Sequence, residues 1–156
     1  MSCLASQRLT TDLETAPMTG ITLPTSGPKG MLAIHGLASV TDTGAPVYCQ
    51  QIVLYCWDQP SGSLTRKLWP PGPPATPAVS LDMPMQLTQA TMASIWGTAN
   101  GTEHLLVGGP MFNFSLTAGS TNTLPLHIHF TLQESVAGRA AQTYVLDKDV
   151  YPRVGS

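Results

Sequence analysis

Charge is scarce in this chain. Asp, Glu, Lys and Arg supply 10% of its 156 residues, where an ordinary soluble domain has about 25%. Between Lys67 and Arg139 there is no Lys or Arg, and the acids of that span are Asp82, Glu103 and Glu134. A nucleic-acid partner needs a stripe of cations to neutralise phosphates, so none is expected. An anionic membrane surface would ask for the same cations. No apolar run approaches the ~20 residues of a membrane-spanning helix.

Cysteine is scarce as well. Cys3, Cys49 and Cys56 are an odd number, so at least one is unpaired. Cys49 and Cys56 fall on what reads as one strand. At about 3.3 Å per residue their Cα atoms would stand ~23 Å apart, beyond disulfide reach. The expectation is three free thiols in a reducing compartment. The N-terminus, MSCLASQRLTTDLETAP, lacks the basic region and apolar stretch of a secretory signal. A cytoplasmic location is expected, or a virion or other assembly made in the cytoplasm.

Cofactor and nucleophile motifs are missing too. The fragments VGGP and GPKG have neither the Walker lysine-serine pattern nor the dinucleotide-binding spacing. No Gly-x-Ser-x-Gly elbow occurs. Cys56 has no flanking cation to activate it. No catalytic residue and no cofactor are therefore assigned.

What the chain does have is turn and strand chemistry. Gly and Pro number 14 each, Ser 12 and Thr 19, which favours turns and strands over helices. Residues 1–28 hold polar clusters and Pro17, Pro24 and Pro28, and read as an N-terminal arm or linker. The rest, 29–156, reads as a single domain. GMLAIHGLASVT (Gly30 to Thr41) and VYCQQIVLYCW (Val47 to Trp57) read as strands, the second one central. LTRKLW (Leu64 to Trp69) returns beside it, with Arg66 and Lys67 marking an edge or solvent face. AVSLDMPMQL alternates and reads as an edge strand because of Pro84. TQATMASIWG fits a helix or a strand, with strand favoured. EHLLV and MFNFSLT form one strand bent at Gly108 and Gly109, and AQTYVLDKDVY is the last strand. About eight short strands separated by turns predict an all-β fold: an antiparallel β-sandwich, jelly-roll-like, or a small β-barrel.

The remaining strand, in PLHIHFTLQE, carries the chemistry. Alternation puts Leu126, Ile128, Phe130 and Leu132 on the core face and His127, His129, Thr131 and Gln133 on the other. Two histidines at i and i+2 with a carboxylate can hold a metal ion. His127, His129 and Glu134 resemble the first metal motif of cupins, His-x-His and then Glu a few residues on. That resemblance implies a metal-dependent enzyme in a small β-barrel. The second cupin motif needs a further histidine downstream, and none follows His129. The motif's glycine is displaced to Gly119. Glu134 also has the wrong parity in a regular strand. A solvated polar face is the expectation, with no metal.

Asp147-Lys148-Asp149 reads as a charged strand end. Trp57, Trp69 and Trp96, with His127 and His129, are the candidate ligand-binding residues. A chain with so little charge has little repulsion to hold copies apart. The expected function is therefore a non-enzymatic structural or assembly β-domain. It would self-associate as a homo-oligomer or pack on a protein partner, as capsid or decoration subunits do. The alternative is a small-molecule-binding barrel or sandwich, whose metal-dependent form would be a cupin-like enzyme on the His127/His129 strand.

Overall fold

The computed structural model describes residues 2–24, 29–70, 79–97, 102–108, 111–117, 126–134, 138, 140 and 142–152. These form ten strands in three antiparallel sheets, two α-helices and a short 3-10 turn. The chain is mostly β, as expected, and no sheet of the described residues closes into a barrel.

The largest sheet has five strands. They are β1 (Ile21–Thr22), β2 (Lys29–Ile34), β5 (Ile52–Asp58), β6 (Ser63–Trp69) and β7 (Thr102–Gly108), hydrogen-bonded in that order. Its middle is buried on both faces. Leu32 and Ile34 of β2, Tyr55 and Trp57 of β5 and Leu64 of β6 enter one apolar cluster. Ala33, Ile52 and Leu54 point the other way into a second. Continuous apolar sequence such as IVLYCW is what a doubly covered strand requires.

The first cluster is closed by α1 (Ser2–Glu14) and by a three-stranded sheet of β8 (Met111–Thr117), β9 (Leu126–Glu134) and β10 (Gln142–Val150). Leu126 and Ile128 are buried as expected, and His127 is exposed. The side chains of Phe130, Leu132 and Gln133 lie outside the described residues. The second cluster is closed by α2 (Gln89–Trp96) and by the irregular segment 79–88 that precedes it. The third sheet is a small hairpin of β3 (Leu37–Val40) and β4 (Pro46–Tyr48), turned at Gly44 with φ +84°.

Several local expectations are corrected. The segment expected as an arm holds a helix: Ala5, Leu9 and Leu13 stand four residues apart, make one stripe, and are buried. TQATMASIWG is helical, because Thr88 caps it by accepting from the Thr91 amide at 3.1 Å and Gln, Ala and Met follow. Of AVSLDMPMQL, the described residues Val79 to Leu87 form no strand, although Val79 and Leu87 are buried.

Gly30 to Thr41 is two strands of different sheets. The chain bends at Gly36, where a Cβ would meet Thr15 Oγ1 at 2.8 Å. Val47 to Trp57 is also two strands, β4 and β5, interrupted at polar Gln50 and Gln51, so Cys49 and Cys56 do not share one. Both are free thiols, half-buried, and burial raises the pKa of each. β7 and β8 likewise belong to different sheets.

Arg66 and Lys67 mark neither an edge nor a solvent face: β6 lies between β5 and β7, and both residues are buried. Each has a partner that neutralises or hydrogen-bonds it. Arg66 Nε and Nη2 donate to Asp12 of α1 at 2.9 and 3.3 Å, and the Tyr55 hydroxyl donates to the same carboxylate. Burial opposes the charge on Arg66, but the bonds to Asp12 outweigh it and the guanidinium pKa is raised. On the opposite face Lys67 Nζ donates to the Ile95 carbonyl at 3.1 Å, near the C-terminal end of α2, and lies 5.6 Å from the Trp96 ring. A cation is favoured there by the helix dipole and by the ring face.

Candidate functional site

The outward face of β9 and β10 gathers the titratable groups. The two strands pair one to one over nine residues. Because side chains directly across an antiparallel pair share a face, this register sets His127 opposite Asp149 and His129 opposite Asp147. Both pairs are closed in the structure, His127 Nδ1 to Asp149 Oδ1 and His129 Nδ1 to Asp147 Oδ1. A carboxylate accepts, so each ring donates to it from Nδ1. On the other side of β9 the register sets Thr117 opposite His127 and Ser115 opposite His129.

The site is therefore two parallel rungs roughly 7 Å apart along the strand. Each imidazole turns to its own carboxylate. Among the described residues no three of His, Cys, Asp and Glu come together to hold a metal ion. The Glu134 side chain and that of His104 lie outside the described residues. The rungs are open to water, with the His127 and Asp149 side chains 50% and 53% exposed.

The tryptophans are elsewhere. Trp57 is buried in the cluster between the two larger sheets, its ring against Gly30. Trp69 and Trp96 pack against the cluster on the opposite side of the five-stranded sheet. The structure thus joins His127 with His129, sets Trp69 and Trp96 against one cluster, and leaves Trp57 in another. Asp147 and Asp149 were the partners to look for. Their spacing at i and i+2 matches that of the histidines, and the β9–β10 register brings the two pairs level.

The other described histidine, His35, is wholly buried. Its Nε2 lies 2.9 Å from the Cys49 carbonyl, and its Nδ1 accepts from the Met85 amide at 2.9 Å. Those two bonds require the neutral ring with its proton on Nε2. Burial lowers its pKa, against a smaller opposing effect of the Cys49 carbonyl. Both ring nitrogens are thus held by backbone groups.

No protein-family model matches the chain, and neither a curated protein nor a solved structure matches it significantly. No helix among the described residues is long and apolar enough to cross a membrane.

Proposed function

We propose that this chain is a non-enzymatic β-domain whose work is to pack against protein, either another copy of itself or a partner. One observation supports this most: the two large sheets end in long outer strands that expose large apolar side chains. β7 carries Leu105 at 64% exposure, and β10 carries Val145 at 60% with Tyr151 just beyond it at 64%. Among the described residues neither strand has a neighbour on its outer side. Such an edge can add a strand from another chain.

Charge narrows the choice at β10. Pairing it with its own copy about an axis normal to the sheet at Asp147 or Lys148 would set Asp147 against Asp147 or Asp149 of the copy, which is unfavourable. Self-association is assigned to the β7 edge and the apolar residues near it, and β10 to a different segment. In this reading the five-stranded and three-stranded sheets are the two leaves of a small sandwich. Amide hydrogen exchange at low and high protein concentration tests the assignment. Protection of residues 102–108 that rises with concentration, and is lost in Leu105→Lys, supports it. Exchange independent of concentration contradicts it.

The alternative, a ligand-binding or metal-dependent face on His127 and His129, is favoured by one feature. A carboxylate on Nδ1 is the orientation that metal-bound and general-base histidines share. Metal titration of the wild-type protein, described below, separates the two readings.

A further inference from the structure

Segment 79–88 is a strap across the second apolar cluster. It has no strand or helix of its own, yet it buries Val79 and Leu87 over Ala33, Ile52 and Leu54. It is tied down by a few hydrogen bonds. Tyr48 donates its amide to the Leu81 carbonyl at 2.9 Å, and Leu87 donates to Thr22 Oγ1 at 2.9 Å. Gln86 Nε2 donates to the Met18 and Ile21 carbonyls. The remaining tie is the Met85 amide on His35 Nδ1 at 2.9 Å. Of these anchors His35 alone titrates near neutrality.

We propose that His35 is an acid-sensitive latch: a second proton on its ring removes the acceptor for Met85 and frees the 79–88 strap. The chemistry is a single proton transfer from solvent to Nδ1. That nitrogen cannot hold a proton and accept from the Met85 amide together, and its Nε2–H stays on the Cys49 carbonyl. The new charge would lie in a buried site with little to receive it. The titratable groups around it are the Tyr48 ring, 5.4 Å away centroid to centroid, and the Cys49 thiol beside it on the chain. Asp12 of α1 acts on Cys49, and the strap's own acid, Asp82, is exposed. Among the described residues no carboxylate is bonded to the ring. Freeing the strap uncovers Val79, Leu87 and the sheet face beneath them. An acidic compartment would thus convert a covered apolar face into an exposed one. This stands apart from the assembly reading, which concerns the sheet edges at neutral pH.

The test is amide hydrogen exchange of peptides spanning 79–88, corrected for intrinsic rates, in the wild type and in His35→Gln. Glutamine offers a donor and an acceptor on one side chain but does not titrate. Opening of the wild-type strap should rise as pH falls below about 6.5, by up to about tenfold per pH unit, the limit for uptake of one proton. The variant should show no such rise, and β9–β10 peptides should stay unchanged in both. An equal rise in the variant, or none in the wild type, overturns the proposal. If His35→Gln does not fold, ring 15N shifts of the wild type decide. His35 taking its second proton in step with strap opening supports the latch, and either event without the other overturns it.

Discussion

Arg66 of β6 and Asp12 of α1 lie 54 residues apart in sequence and share two hydrogen bonds in the core. The carboxylate also accepts from Tyr55. This contact holds the N-terminal helix to the middle of the five-stranded sheet. Asp12 lies near the C-terminal end of its helix, where the dipole disfavours an anion; the guanidinium offsets that.

Removing one partner leaves the other charged and buried. Asp12→Ala should lower stability by about 3–5 kcal/mol. Urea denaturation measures it, and a loss under about 1 kcal/mol, the worth of an exposed pair, would mean that α1 is not docked as described.

Tyr55 sets the alkaline limit. Burial first, and then the charge and hydrogen bond of Asp12, push its phenol far above the usual range. A raised folded pKa means that this contribution is complete below the unfolded value, about 10, and is lost as pH rises past it. Stability should fall above that pH, and one of the four tyrosines should ionise only as the protein unfolds. Ultraviolet tyrosinate titration alongside circular dichroism checks both. Four phenols ionising together in the folded protein would contradict the account.

Gly30 is required by Trp57. A Cβ at Gly30 would come within 2.1 Å of the indole ring, and the ring is buried. Gly30→Ala should cost at least the ~1–3 kcal/mol of an overpacked core. Trp57→Leu should make the same glycine substitution far milder, a coupling that a double-mutant cycle reads directly.

The histidine rungs should behave as surface pairs. His127→Ala with His129→Ala should change stability by no more than about 1 kcal/mol per pair. Zinc or nickel should raise the melting temperature of the wild type no more than that of the double variant. A site filled at 100 times its dissociation constant would add about 2.7 kcal/mol to the wild type, and that gap would promote the metal-binding reading.

Period-two patterns were legible where one face meets water. β9 alternates Leu126, His127, Ile128, His129, and the structure follows it residue by residue. The antiparallel pairing of β5 and β6 was legible as LTRKLW returning beside the strand before it. Helices were obscured because their signals are short: the α1 stripe is Ala5, Leu9 and Leu13 among polar residues, and TMASIW is apolar enough to suit either structure. Breaks inside apolar runs were obscured because contacts distant in sequence make them, as Thr15 does at Gly36. The buried charges of β6 were unreadable for the same reason. Arg66 looks like a surface residue until Asp12 is beside it. The Asp partners of the histidines were readable only once the β9–β10 register was known.

The central claim is that this domain associates through protein contacts. Sedimentation velocity of the wild-type chain, from low micromolar to hundreds of micromolar, tests it most directly. The account predicts a mass that rises from the 16.5 kDa monomer toward a dimer or larger species, with Leu105→Lys shifting the transition to higher concentration. A single 16.5 kDa species across the whole range would contradict self-association.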